Sequence, residues 1–439
     1  VKHAILEEEG WLVEIVDSGG GAGTHVSFAL GAFDRPTIIY FAPSEGLIKH
    51  AAQTPEWWDL SIVDSGASGF TSVLADSSGR LHASYIGSDG GSLVYAHHDG
   101  SRWTREIVVE GGGFYGQTSI GLGPDLAPQI AYYDGVRADL RHAKREEAGW
   151  VTSVVDSSGA VGEYASLAVD ETGCTHVAYY SQSEHALKYA RRQPSGWEIT
   201  VVDDAGNPGL HASLAVLPGG APCVSYGDPS RGELRYAFAA VPQWIVATVD
   251  SGGVGWHSSL ALGPDGTSHI SYQDHTSLDL KYAAGGIGGW EIEVVDAEGR
   301  VGGYSRIALD GDGLPRIAYY DDTNQGLKYA CATGLGGGIA PRWALRSLDL
   351  EMQGANPSEE PVRLAVSVSR RQDVSLAVSD IVGRRIRTLW RGPVGAEGRV
   401  INWDGRDERG RCVAPGVYVC HASAAEEMAT LRVVRGLRR

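Results

Sequence analysis

Seven positions spaced 45 to 47 residues apart carry His25, Phe70, Gln117, Tyr164, His211, His257 and Tyr304. Imidazoles and phenols can bond hydroxyls or move protons, and flat rings can stack on the apolar face of a ligand. Two residues beyond each stand Ser27, Ser72, Ser119, Ser166, Ser213 and Ser259, but the seventh unit has Arg306. A guanidinium where six units keep a hydroxyl could neutralise a carboxylate while a nearby His or Tyr removes a proton. Pairing with a neighbouring Asp is the plainer alternative. Trp256 and Tyr115 stand beside the ring positions, and Asp134, Asp228, Asp274 and Asp321 supply acids at a second repeated position.

These residues recur because the chain repeats. Leu-Lys-Tyr-Ala or a close variant ends at Ala4, Ala51, Ala96, Ala143, Ala190, Ala237, Ala283 and Ala330. A period of this length, with short alternating runs and turn residues between them, is that of four strands per unit, the blade of a β-propeller. One unit reads from Tyr164 to Asp203 as strands A to D: Tyr-Ala-Ser-Leu-Ala-Val-Asp, His-Val-Ala-Tyr-Tyr, Leu-Lys-Tyr-Ala, and Trp197-Glu-Ile-Thr-Val-Val-Asp. Strands A and B each occur seven times, which predicts an all-β, seven-bladed propeller. The D-like run Trp11–Val16 should complete the blade holding Tyr304–Ala330, so that the ring has no open edge. Val1–Ile5 is then surplus, and a truncated eighth blade is the rival reading.

The strand order places the D–A and B–C loops at one mouth of a central channel. The varied ring gathers there, with the acids after strand B on the same face. Aromatic platforms beside carboxylates suit sugar recognition, although the ring could also be packing between blades. After the shared strand B tyrosine come Tyr133, Tyr180 and Tyr320 but Gly227 and Gln273, which would open space beside His211 and His257. Features present in every unit read as structure. The first strand B tyrosine (Tyr40, Tyr85, Tyr132, Tyr179, Tyr226, Tyr272, Tyr319) and the strand D tryptophans (Trp11 to Trp290) should pack between sheets. The acids ending strand D (Asp17, Asp64, Glu110, Asp156, Asp203, Asp250, Asp296) should bond turn amides rather than hold calcium, which wants six to eight converging oxygens. Asp310-Gly-Asp312-Gly reads as a hairpin turn on the same grounds.

The 439 residues carry a net charge of −17 and 60 glycines. From Ser347 onward 15 Arg face 12 acids with no Lys, so the tail is +3 and the remainder −20. An acidic propeller excludes itself as a nucleic-acid binder. No apolar run approaches the roughly 20 residues of a membrane span. Val1 lies inside a repeat, so the sequence reads as a mature or truncated form without its leader. Cys174, Cys223, Cys331, Cys412 and Cys420 have no metal-ligand spacing, and Cys412 and Cys420 could bridge a hairpin. No metal or other cofactor is expected, and the chain should be a monomer.

The period stops after Ala330. Residues 1–335 are thus assigned to the propeller, 336–346 to a glycine-rich linker and 347–439 to a second domain. Alternating runs at Val362–Val368, Val374–Val378, Arg385–Leu389, Arg399–Trp403, Val417–His421 and Thr430–Val434 predict a small antiparallel sandwich. Asn356-Pro357, the run from Val374 to Leu389, Trp403-Asp-Gly-Arg-Asp-Glu-Arg-Gly-Arg and Pro415-Gly-Val-Tyr resemble the FlgD-type immunoglobulin-like domain found at the C-termini of secreted bacterial proteins, including type IX secretion cargo. Ser379 stands where that family usually has Tyr, and the terminal Arg-Gly-Leu-Arg-Arg matches a sorting tail loosely. The repeats resemble secreted bacterial propellers bearing His-Ile-Ala-Tyr-Tyr-Asp units, a group with no single activity, and they lack the Ser-x-Asp-x-Gly-x-Thr-Trp box of sialidases. These resemblances imply export to the exterior or the cell surface.

The expected role is an extracellular binding or adhesion module for a glycan or surface polymer. Its candidate ligand-binding residues are His211, His257, Trp256, Tyr304, Arg306, Tyr164, Asp274 and Asp228. A polysaccharide lyase or glycoside hydrolase at the mouth is the alternative, and a structural surface protein with a plugged channel is a third.

Overall fold

The computed structural model describes residues 5–6, 10–19, 21–31, 34–54, 57–87, 91–111, 116–240, 243–332, 348–353, 362–368, 372–380, 384–394, 399–414, 416–424 and 427–435. The chain divides into two compact units, Val1–Gly338 and Ile339–Arg439. Tyr115 and the expected linker lie outside the described residues.

The first unit is a propeller-like ring of seven antiparallel sheets. Blade 1 runs from Thr24–Leu30 (strand A) through Pro36–Ala42 (B) and Leu47–Gln53 (C) to Trp58–Asp64 (D), and the next five blades repeat that order from Ala67 to Asp296. Blade 7 takes strands A to C from Val301–Leu309, Pro315–Asp321 and Gly326–Ala332, and its fourth strand is Trp11–Asp17. Successive A strands adjoin around the axis, and that of blade 7 adjoins that of blade 1, so the ring is closed. Ile5–Leu6 pairs with Trp11–Asp17 as a fifth strand on blade 7, so the surplus N-terminal segment extends that sheet rather than founding an eighth.

Burial explains the strand sequences. Strand B is covered on both faces by neighbouring blades, and Thr175–Ser181 is buried along its whole length. Strand D lies at the rim, so Gly196–Asp203 exposes its middle and buries only Val202 and Asp203.

The repeated Leu-Lys-Tyr-Ala and Tyr-Asp elements are joints between blades. Tyr179, Tyr226, Tyr272 and Tyr319 each donate through Oη to the carboxylate ending strand D of the preceding blade, at 2.7, 2.7, 2.7 and 2.6 Å on Asp156, Asp203, Asp250 and Asp296. Tyr40 does the same to Asp17, across the closure of the ring. The strand C cation adds an ion pair, as Lys328 does at 3.0 Å from Asp296. The other carboxylate oxygen accepts a turn amide, for example that of Glu298. The strand D acids therefore serve turns and joints. The strand C tyrosine meets the next blade's tryptophan edge-on, as in Tyr189–Trp244 at 5.2 Å.

The second unit is a sandwich. Leu348–Gln353, Val362–Val368 and Arg399–Trp403 form one sheet, and Arg385–Val394, Gln372–Asp380, Gly416–Ala424 and Glu427–Arg435 the other. Leu364, Leu376, Trp403, Tyr418 and Cys420, drawn from both sheets, share its core. Trp403 donates to the Arg406 carbonyl, and Asp404 and Asp407 accept the amides of their own turns, so the Trp-Asp-Gly-Arg-Asp run acts as core anchor and turn. Cys412 is exposed, Cys420 is buried, and both are free, so no bridge joins them.

Candidate ligand-binding mouth

The varied ring forms because strand A begins with a bulge. His25, Phe70, Tyr164, His211, His257 and Tyr304 all have φ between +50 and +54°. A left-handed backbone costs a bulky L residue about 1 to 3 kcal/mol and persists only where its surroundings hold it. Here the next blade holds it: Thr118, Ser258 and Ser305 donate to the carbonyls of Phe70, His211 and His257 at 3.0, 2.8 and 2.9 Å, and Thr71 donates to that of His25. Two residues before the ring position, Gly162 (φ +107°) passes so close to the preceding blade that a Cβ would lie 2.8 Å from the Leu140 Cα.

The side chains then turn inward and touch in sequence. Ring centroids are 4.3 Å apart for Phe70–His25, 4.9 Å for His25–Tyr304, 4.6 Å for Tyr304–His257, 4.4 Å for His257–His211 and 4.6 Å for His211–Tyr164. Six rings make a continuous arc, and Gln117 occupies the remaining place. Burial, helped by the Arg306 charge, lowers His25 to about 4 and His211 to about 3. His257 falls well below its ordinary value for the same reasons. All three are therefore neutral at physiological pH. They are weak bases that can give or take one hydrogen bond, far from the pKa a general base needs near neutrality.

The structure brings together Tyr164, His211, Trp256, His257 and Tyr304, sets Arg306 beside His211, and turns Asp274 and Asp228 onto their own loops. Asp274 accepts the amides of Thr276 and Ser277 and pairs with Lys281 at 2.7 Å. Asp228 is wholly buried, and one of its oxygens accepts Ser230 and the Asn207 amide. Asp134 and Asp321 are likewise spent on their turns and on Arg137 and Lys328. A short acceptor side chain after strand B completes the B–C turn, and so these carboxylates do not face a ligand. The space expected at Gly227 is filled by the next blade, since a Cβ there would sit 2.8 Å from the Gly255 carbonyl oxygen. Only about 10 Å³ remains beside Trp256. Gln273 closes its own gap by donating to the Val301 carbonyl at 2.6 Å. Arg306 pairs with no Asp among the described residues. It lines a small channel cavity together with the ring residues Gln117 and His211 and donates to the Ser305 carbonyl.

Two mouth residues, His275 and Glu163, were not singled out in the sequence. Trp256 lies flat on the exposed His275, with centroids 4.7 Å apart and planes 21° apart. Glu163, half-buried beside Tyr164, has its carboxyl raised above the ordinary range by burial, and it shares its surroundings with Tyr133 and Tyr180. The position before each ring residue reads Thr, Gly, Gly, Glu, Leu, Trp, Gly. The position that carries Trp256 in the sixth blade carries Glu163 in the fourth, and both are partly buried.

At the opposite, A–B hairpin end, Asp170, Cys174 and His176 lie close enough to share an ion. Asp170 is already engaged by Thr172, by the Cys174 amide and by His176, and an Asp–His pair recurs at Asp76–His82 without a cysteine. Turn closure accounts for the group.

No protein-family model matches the chain, and no curated protein does. Among solved structures, a fungal alcohol oxidase of the AA5 family in complex with copper is 11% identical, with a TM-score of 0.55 over 98% of this chain and 100% of its own. An ulvan lyase of polysaccharide lyase family PL25 is 11% identical, with a TM-score of 0.52 over 72% of this chain and 94% of its own. Aleuria aurantia lectin, described as a six-bladed β-propeller with a novel fucose recognition mode, is 11% identical, with a TM-score of 0.47 over 63% of this chain and 96% of its own. At these identities the likeness defines fold alone: this chain is an all-β propeller protein whose structural neighbours include lectins and a polysaccharide lyase.

Proposed function

We propose that the protein is an extracellular or cell-surface module that binds glycans at the mouth of the ring, and that its C-terminal sandwich is a FlgD-type immunoglobulin-like domain serving export or attachment. The observation that carries the binding reading is the flat Trp256–His275 pair on the sixth blade, two blades from Glu163 with its neighbours Tyr133 and Tyr180. A sugar ring stacks its apolar face on an aromatic shelf and gives its hydroxyl protons to a carboxylate. Binding is favoured over lyase chemistry because the ring histidines are weak bases.

Replacing Trp256 with Ala is expected to weaken binding of the glycan selected on an array by about 1 to 2 kcal/mol, the loss of a stacking contact. Titration calorimetry would measure it, with an unchanged circular dichroism spectrum as the control for folding. Parent-level affinity in both the Trp256→Ala and Glu163→Gln proteins would exclude this face. Incubation with uronate polymers while following ultraviolet absorbance of unsaturated ends tests the lyase alternative; steady product formation would replace the binding reading with that one.

A further inference from the structure

The Arg306 side chain belongs to neither the joints nor the mouth. In six junctions the strand A serine accepts an amide of the next blade's A strand: Val73 to Ser27 at 2.7 Å, Ile120 to Ser72 at 3.2 Å, Leu167 to Ser119 at 2.9 Å, Leu214 to Ser166 at 2.9 Å, Leu260 to Ser213 at 3.0 Å and Ile307 to Ser259 at 3.2 Å. The serine at each junction acts as an acceptor, which leaves its own hydroxyl proton free to donate elsewhere. At the seventh junction the place belongs to Arg306.

Inside the ring lies a cavity of about 70 Å³, lined by Ser72, Ser119, Ser166, Ser213, His211 and Arg306 among others. That is room for a few waters or one small ion. No carboxylate lines it. Arg306 is partly buried and lines the cavity, and burial pushes its pKa down to about 10, so it remains charged at neutral pH. The Nε2 atom of His211 is buried without a partner. Hydroxyl groups and a guanidinium therefore converge on one small space that no protein anion lines. A partly buried charge with no counter-charge is unfavourable, whereas a paired and hydrogen-bonded one is tolerated.

We propose that the central channel holds one small inorganic anion of halide size, bound by the Arg306 guanidinium and the hydroxyls of the strand A serines, as an internal counter-ion of the ring. The site shares His211 and Gln117 with the ring, but the proposal does not rest on what the mouth binds. It asks for a compact monovalent anion, because the cavity holds only about 70 Å³ and, among the described residues, Arg306 is the one fixed positive charge lining it.

The test uses the full chain dialysed into sodium gluconate, an anion too large for the cavity, and titrated with sodium bromide at constant ionic strength. The parent is expected to show a saturable rise in melting temperature and, in crystals soaked in bromide, an anomalous peak within hydrogen-bonding distance of Arg306. In Arg306→Ser, which gives the seventh blade the residue of the other six, the apparent bromide affinity should fall at least about tenfold. Arg306→Lys, which keeps the charge, should retain it within about tenfold. Equal bromide responses in the parent and Arg306→Ser, or no bromide peak in the channel of the parent, would overturn the proposal. Should Arg306→Ser fail to fold, the parent crystal and Arg306→Lys decide it.

Discussion

Acidification from pH 7 to pH 4 is expected to unfold the propeller in one cooperative step. His25, His50, His142 and His269 are held near 4, and His211 near 3, all chiefly by burial. Three of these rings are held neutral between strands B and C of their own blades: His50 bonds Thr37 at 2.7 Å, His142 bonds Gln129 at 3.0 Å and His269 bonds Tyr282 at 2.6 Å. In the unfolded chain each protonates near 6.5. Between that value and about 4 the unfolded state binds more protons, so stability rises with pH through this window and is lost as pH falls. A depression of this size is worth about 3 kcal/mol per histidine. Even a few such groups rival the roughly 5 to 15 kcal/mol of net stability of a whole domain. Asp156, Asp274 and Asp321, lowered in the fold, act in the same direction at still lower pH. A circular dichroism titration with parallel measurement of proton uptake should find a midpoint between pH 6.5 and 4, with several protons bound across it. A chain still folded at pH 4 without proton uptake would contradict the neutral assignment of these histidines.

Period and alternation are properties of one strand and its immediate turns, and so they are readable along the chain. The closing strand at Trp11 was legible because the last unit lacked one, and the six strands from Val362 onward because turn residues separate them. Leu348–Gln353 was missed, for its run Leu-Asp-Leu-Glu-Met-Gln borders a glycine-rich stretch and carries no β-branched residue. What joins one blade to the next is less visible. The Ser166–Leu214 and Thr118–Phe70 bonds link residues 48 apart, and only the closed ring says which neighbour each hydroxyl meets. The mouth acids misled for a related reason. A carboxylate after strand B looks the same in sequence whether it faces a ligand or folds back on its own turn, and at Asp274 it folds back. The ring residues were legible as a ring, but not their left-handed backbone, which depends on a carbonyl being held by the following blade. Arg306 was correctly read as a departure and wrongly supplied with an Asp, because the acids near it in sequence are consumed by joints.

Those joints carry the second large effect. Asp296 receives the Tyr319 hydroxyl at 2.6 Å, the Lys328 ammonium at 3.0 Å and the Glu298 amide at 2.9 Å, all at a site where Tyr319 is fully buried. Burial raises the Tyr319 phenol well above its ordinary value, and the neighbouring Asp296 charge and hydrogen bond add to this, so the phenol stays a donor at any accessible pH. Replacing Asp296 with Ala removes the acceptor for a buried hydroxyl and one of the two carboxylates around a nearly buried ammonium, the other being Asp321 at 3.0 Å. Removing one member of a buried charged pair costs about 3 to 5 kcal/mol. Tyr319→Phe keeps the packing and the ion pair and removes one charge-assisted bond, for a cost of about 1.5 to 3 kcal/mol. Urea unfolding followed by tryptophan fluorescence should rank Asp296→Ala as the less stable of the two at neutral pH. The double variant should fall short of the sum, because both changes act on one joint. Additive losses would mean that Tyr319 and Asp296 contribute separately and that the blades are held together by packing alone.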